Sequence, residues 1–410
     1  MNIRTVTCFC EPGFPVSADR LAAAGLAVAE IKQTLQEAGY TVQTTRLAGP
    51  PFPEVVPDQP DKVVAYAQAL EDMCFVHGLD YATLGPARPA DAPEFFRAIP
   101  EALGATENVF AAAVMAEAGL GVSVAAVRLI ADVIQRCAEL TPDGFGNLRF
   151  AALANVPAGV PFLPAAYHAG GPAAVALGLE AADLAVTACA GAATLDEARA
   201  ALVSQLEAEG QKLSGLVKKA AGRHGLLFGG LDFSFAPFPE VARSLGTALE
   251  NLTGVRVGEP GTLAAAAFLA EAIDRAQFKR AGFCGLFLPV LEDAVLAARA
   301  AEGLLAVNDL LLYSAVCGTG LDTLPLPGDT SAETLAAILL DVAVLALRLD
   351  KPLTARLMPL PGKRAGDEAQ FDFAFFAPSR VLAVRSPAGL GGLMGGAVGF
   401  DLNPRAAARA

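Results

Sequence analysis

The densest group of reactive and backbone-special residues runs from Ser314 to Glu333, SAVCGTGLDTLPLPGDTSAE. The apolar run Leu310 to Val316 reads as a strand, which would put the Cys317 thiol at a strand end, and Gly318 and Gly320 beside it would let a substrate approach closely. Such a thiol is a nucleophile if a cation or helix start lowers its pKa, and a small buried hydrophobe otherwise. Asp322, directly after the glycine turn, suits ligand binding or proton transfer. Asp329 precedes Thr330-Ser331-Ala332-Glu333, where Thr330 as N-cap and Glu333 as its return partner would form a capping box. A structural role therefore competes with a binding role at Asp329.

Further carboxylates stand at Glu292 and Asp293, after LFLPV, where adjacent acids favour a helix dipole. Turned instead toward Asp322, and joined by Asp232 from LLFGGLDFSF, they could hold a divalent cation or share a proton. His168 closes the loop NVPAGVPFLPAAYH and is the histidine best set for acid-base work near neutral pH. Arg356, with Lys363 and Arg364 nearby, suggests an anionic group on the ligand, or else salt bridges to Asp341 and Asp367. No cysteine-histidine spacing supports zinc, and the turns GTGLD and GEPGT lack a Walker or dinucleotide spacing. The metal, if any, stays unknown.

Positioning these residues requires alternating elements. Strand patterns fall at Ile3–Phe9, Tyr40–Leu47, Tyr81–Leu84, Asn108–Met115, Leu148–Val156, Ala173–Leu179, Leu226–Phe235, Gly282–Val290, Leu310–Val316 and Thr354–Pro359. Helical spacing lies between them, as in Ala18–Ala38, Val122–Leu140, Thr194–Arg223 and Thr262–Ala276. Nearly continuous apolar strands indicate burial on both faces, hence a parallel or mostly parallel sheet covered by helices. About ten strands are many for an open sheet, so a closed α/β barrel is expected.

Composition narrows the partners. A net charge of −13 opposes binding to nucleic acid or to an anionic membrane surface. No window reaches about 18 uninterrupted apolar residues, the length a bilayer span needs. The start, MNIRTVTCFCEPG, has no signal-peptide layout, and seven scattered cysteines suit a reducing compartment, so a cytoplasmic location is expected.

The segments NIRTVT, LANVPAGVPFLPAAYHAGG, FGGLDFSFAP, LFLPVLEDA, SAVCGTGLDTLPLPGDTSAETLAAILLDVA and KPLTARLMPLPGKRAGD resemble uncharacterised protein family 0210, also called domain of unknown function 711. The resemblance covers most of Leu148 to Asp367 and implies a ten-stranded α/β barrel like that of glycyl radical enzymes and ribonucleotide reductase large chains, built from two five-stranded halves. It implies no catalytic residue. Val384-Arg385-Ser386-Pro387-Ala388-Gly389 stands where a radical glycine motif would be sought, but it lacks the aromatic residue and carries a proline. Residues 1–380 are expected to form one barrel domain and 381–410 a glycine-rich tail, with a homo-oligomer left open. The expected function is a non-radical enzyme acting on a small anionic metabolite through Cys317, Asp322 and His168. The alternatives are a non-catalytic ligand-binding or regulatory protein on the same barrel and a glycyl radical enzyme.

Overall fold

In the computed structural model, which describes residues 1–385, 387 and 390–405, strands and helices alternate from the first residues onward. The first part of the chain runs β1 (Asn2–Phe9), α1 (Ala18–Glu37), β2 (Val42–Ala48), α2 (Phe52–Val55), α3 (Val63–Val76), β3 (Tyr81–Ala87), α4 (Pro93–Gly104), β4 (Val109–Glu117), β5 (Gly121–Ser123), α5 (Val124–Ala138) and β6 (Phe150–Ala154). The second runs β7 (Ala174–Glu180), α6 (Ala182–Gly191), α7 (Leu195–Arg223), β8 (Leu227–Asp232), α8 (Leu245–Thr253), α9 (Thr262–Arg275), α10 (Ala294–Ala301), α11 (Val307–Ser314), β9 (Gly320–Pro327), α12 (Ala332–Leu349) and β10 (Leu353–Leu360). Short elements close the described chain: β11 (Glu368–Ala369), β12 (Ser379–Arg380), α13 (Gly392–Gly395) and β13 (Gly399–Phe400).

One mixed sheet of eleven strands organises the molecule, in the order β8-β7-β1-β2-β3-β4-β6-β10-β9, with β5 and β13 added beside β4. Strands β1, β2, β3, β4 and β6 are mutually parallel, as are β7 with β8 and β9 with β10. The two groups meet through antiparallel seams, β1 against β7 and β6 against β10. Strand β4 shows why the strands read as unbroken apolar runs. Ala111, Ala113 and Met115 join the core under the helices, while Ala112 and Val114 pack on the other face with Phe162, Phe283 and Phe287. The loop between β6 and β7 covers that second face and is fixed there by Thr7 Oγ1, which donates to the Pro161 carbonyl at 2.7 Å.

Two expected strands form differently. Leu310–Val316 lies largely in α11, because Asp309 Oδ2 accepts the Ala306 amide at 2.9 Å and starts a helix whose Leu310, Tyr313 and Ser314 are buried at helical spacing. Short apolar runs are ambiguous between the two states. Gly282–Val290 makes no regular strand, since Asp232 captures the amides of Phe283 (2.7 Å) and Cys284 (2.9 Å) that a ladder would use. It still bonds to both neighbours: Gly285 O accepts from Phe235 N just after β8, and Val290 N donates to Asp322 O on the β9 side.

The helix after the proline turn also starts differently from the expected capping box. Ser331, in the extended conformation an N-cap needs, accepts the Thr334 amide at 3.2 Å, whereas Thr330 Oγ1 donates to the Pro327 carbonyl at 2.6 Å. The glycine-rich tail, expected to lack regular elements, contributes β13, which pairs with β5. Ser386, Ala388 and Gly389, and with them the radical-motif position, lie outside the described residues. Among the described residues no helix is long and apolar enough to cross a membrane.

Candidate functional site

Four charged side chains from distant parts of the sequence meet at one end of the sheet. Arg4 projects from β1, Asp322 from β9 and Arg356 from β10, and Glu292 sits just ahead of α10. Arg4 Nη2 lies 2.8 Å from Glu292 Oε2, Arg356 Nη2 lies 2.7 Å from Glu292 Oε1, and Arg356 Nε lies 2.5 Å from Asp322 Oδ1. The result is an alternating chain of cation, anion, cation and anion, largely withdrawn from water. Burial raises the Asp322 carboxyl above its ordinary range, and the Arg356 charge opposes that rise. Such pairs persist in a low-dielectric interior only when each member is hydrogen-bonded, as here.

This network edges a cavity of about 390 Å³. Its wall includes Arg46, from β2, whose Nε donates to Thr44 Oγ1 at 2.9 Å and whose guanidinium stacks 5.8 Å from the Tyr81 ring. Among the described residues Arg46 has no carboxylate partner, and neither Nη makes a hydrogen bond. Burial, reinforced by the Arg4 charge, pushes it down to about 9. Tyr81 meets Phe110 edge-on at 5.4 Å, so the cation sits at the end of an aromatic wall. The segment Phe371–Phe376 adds Phe373 and Phe375 to the lining; Phe373 packs on Phe145 and Phe375 under Arg4. A smaller space of about 30 Å³ shares Phe162, Leu163, Phe287 and Arg356 with the large cavity and is where Asp322 opens. It has room for about one or two waters.

The expected trio of Cys317, Asp322 and His168 does not assemble. Since α11 replaces the expected strand, Cys317 lies in the turn ahead of β9, where its buried sulfur accepts the Gly320 amide at 3.3 Å and lines a different cavity of about 470 Å³. His168 is held with its backbone amide on the Gly49 carbonyl at 2.8 Å, and its Nε2 is buried without a partner. It lines neither of the cavities beside Arg356.

The remaining candidates divide. Glu292 and Arg356 belong to the cavity, and Arg356 pairs with Glu292 and Asp322 rather than with Asp341 or Asp367. Asp293 is instead the N-cap of α10, accepting the amides of Val295 and Leu296 and the Ser244 hydroxyl. Asp232 is fully buried, its carboxyl pushed up to about 6 by desolvation while Ser234, Phe283 and Cys284 donate to it. Both acids are consumed by structure. Gly318 packs against Gly285, Gly320 adopts φ 91° against β10, and Asp329 is exposed. The guanidinium of Arg356 fills the space between Asp322 and Glu292 that a shared divalent cation would need, and no group of three or more metal-ligating side chains forms among the described residues.

Arg4, Arg46 and Arg149 escape a sequence reading centred on the second half. Arg149 also lines the cavity and donates to the carbonyls of Leu103 and Thr106, each at 2.7 Å. The signal was present as single arginines within or at the start of strand runs such as NIRTVT and QTTRLA. A charge on a strand buried on both faces requires a reason.

The model of the family described as Uncharacterised ACR (DUF711) matches residues 1–374. A UPF0210 protein of Pyrobaculum aerophilum is 34% identical over 366 residues, spanning 82% of this chain and 78% of the relative. Another, from Methanopyrus kandleri, is 32% identical over 365 residues, covering 84% and 80%, and one from Neisseria meningitidis is 30% identical over 360, covering 84% and 79%. The match reaches back through β1 and β2, and so includes Arg4, in the opening strand that carries part of the sequence resemblance, and Arg46. The chain belongs to the DUF711, or UPF0210, family.

Proposed function

We propose that the protein binds a small anionic metabolite in the cavity beside Arg4, Arg46 and Arg356 and acts on it by proton transfer, with Asp322 as the proton carrier. The observation that carries this reading is Arg46, a half-buried guanidinium that lines a cavity with both Nη groups uncommitted. A cation withdrawn from part of its water without a counter-charge is costly, and an incoming anion repays that cost. Asp322 supports the catalytic half of the reading, because a carboxyl raised by burial can hold and release a proton closer to neutral pH than an exposed one.

In this reading the segment Arg280–Val290, bonded to β8 and to β9, closes the sheet into a ten-stranded barrel of two five-stranded parallel halves. The cavity is then a barrel mouth, and the arrangement is the one the likeness to glycyl radical enzymes implies. The chemistry proposed is non-radical, since Pro387 and the missing aromatic residue break the radical motif.

Thermal stabilisation by a panel of small carboxylates and phosphate esters tests the anion site. At least one should raise the melting temperature of the wild type and lose most of that effect with Arg46→Gln. A panel that stabilises neither protein overturns the reading. For a stabilising anion, hydrogen exchange in D2O followed by NMR separates enzyme from binding protein. Deuterium uptake lost in Asp322→Asn supports catalysis, and binding without exchange selects the ligand-binding alternative.

A further inference from the structure

The cavity's lining restricts the ligand further than "anionic", and this step rests on the anion-binding reading above. Among the described residues the lining carries four arginines, Arg4, Arg46, Arg149 and Arg356, against two acids, Glu107 and Glu292. Arg4 and Arg356 are answered by Glu292 together with Asp322 behind it. Arg46 and Arg149 against Glu107 leave one positive charge in excess, in a chain whose net charge is −13. A ligand with a single negative charge balances the site.

The donor set favours carboxylate over phosphate. Phosphate sites are usually built from backbone amides of glycine-rich turns or helix starts, often with a lysine. Among the described residues no glycine and no lysine lines this cavity. The amides of Glu107 and Asn108, which lie on its rim, are both taken by Glu71 Oε1. What remains is the planar fork of Arg46, whose Nη pair matches the two oxygens of one carboxylate.

Aromatic rings are the largest group in the rest of the lining, beside the polar side chains of Gln43, Thr44, Thr106 and Asn108. Tyr81 and Phe110 stand beside the Arg46 fork, and Phe145 and Phe373, 5.1 Å apart, form a second aromatic surface on the same cavity. Phe162 and Phe287, 4.8 Å apart, stand between the large cavity and the small one that Asp322 faces. A hydroxyl placed against these rings finds no partner there, which is costly. A ring would meet them edge-on or offset, the favoured aromatic geometries.

We infer that the ligand is a small monocarboxylate with a ring-bearing, apolar body, its carboxylate on the Arg46 fork and its ring against Tyr81, Phe110 and Phe373. The protein has no tryptophan, so the fluorescence of an indole probe reports its own binding without background from the chain.

Indole-3-acetate is the test probe, compared with tryptophol as the neutral ring, succinate as the ringless anion and phenyl phosphate as the aryl phosphate. Indole-3-acetate should bind, and tryptophol and succinate should each bind roughly 10-fold or more weakly. Arg46→Gln should weaken the probe roughly 10- to 100-fold, with Arg46→Lys recovering part of the loss. Phe373→Ala should weaken it by about 3- to 10-fold. Competition by benzoate on the wild-type protein supplies a readout that does not depend on any variant folding. Succinate or phenyl phosphate binding more tightly than indole-3-acetate overturns this inference and leaves the anion site standing. Probe binding that ignores both Arg46→Gln and Phe373→Ala also overturns it. No anion binding at millimolar concentration overturns both proposals.

Discussion

Arg356 Nε lies 2.5 Å from Asp322 Oδ1, on neighbouring strands whose side chains are almost wholly removed from solvent. The same guanidinium reaches Glu292, so one cation holds two carboxylates that would otherwise repel each other at close range. Arg356→Met should leave Asp322 buried and unpaired and Glu292 held by Arg4 alone, and cost about 3–5 kcal/mol of stability. Asp322→Asn keeps a hydrogen-bond acceptor for Arg356 and should cost less. Urea unfolding of both variants, with the double variant to complete the cycle, measures the coupling, and a loss below about 1 kcal/mol for Arg356→Met would contradict the role given to the pair.

Asp232 gives the fold a pH dependence of definite sign. Its folded-state carboxyl is pushed up to about 6, against an ordinary value of about 3.9. A carboxyl raised in this way binds its proton more tightly when folded. Its contribution is therefore fully present below about pH 4 and is lost as the pH rises through 6. The size of that loss is about 3 kcal/mol. Asp232→Asn should remove this slope between pH 4 and 6, as followed by urea midpoints at several pH values; an unchanged slope would show that another group sets it.

The thiols should react in an order the motif around Cys317 does not suggest. All seven cysteines are buried and unpaired by disulfides. The Cys10 thiol is lowered by a hydrogen bond from Cys8 and further by Arg20, and at 9% exposure it is more open than Cys317 at 2%. Limited alkylation followed by peptide mass mapping should mark Cys10 before Cys317. Faster labelling of Cys317 would restore it as a nucleophile candidate.

Gly285 and Gly318 touch where the Arg280–Val290 segment crosses the approach to β9. A methyl group on Gly318 would come within 2.6 Å of the Gly285 Cα, and one on Gly285 within 2.4 Å of the Gly318 Cα. Backbone meets backbone there, so neither side can yield cheaply. Gly318→Ala should cost about 1–3 kcal/mol in chemical unfolding. Gly303→Ala is the control: that residue has open space around it but φ 77°, so its smaller penalty isolates backbone strain from collision.

Much of the architecture was legible because strands buried on both faces leave an unmistakable trace. Asn108–Met115 and Thr354–Pro359 read as strands from apolar content alone, and they form most of β4 and β10. Leu310–Val316 did not, since a seven-residue apolar run suits either state and the deciding Asp309–Ala306 hydrogen bond is a detail of side-chain geometry. The acids of the site, Asp322 and Glu292, were visible as charges beside glycine and proline turns. Their separation from Cys317 was not, because it depends on α11 and the turn after it, which aim Cys317 at a different cavity. Arg46 was missed for a different reason. Its meaning lies in the absence of a partner, and no property of the residue itself discloses that.

The two antiparallel seams divide the labour of the site between the halves of the chain. The fork proposed to take the ligand's carboxylate, Arg46, comes from before residue 150, and the carboxyl proposed to move a proton, Asp322, with its partners Glu292 and Arg356, from after residue 290. Neither fragment, made alone, would carry a complete pocket, yet the seams β1–β7 and β6–β10 give two separately produced fragments a template on which to join. Changes at the carboxylate fork and changes at the proton-carrying acid can accordingly accumulate in different stretches of the gene.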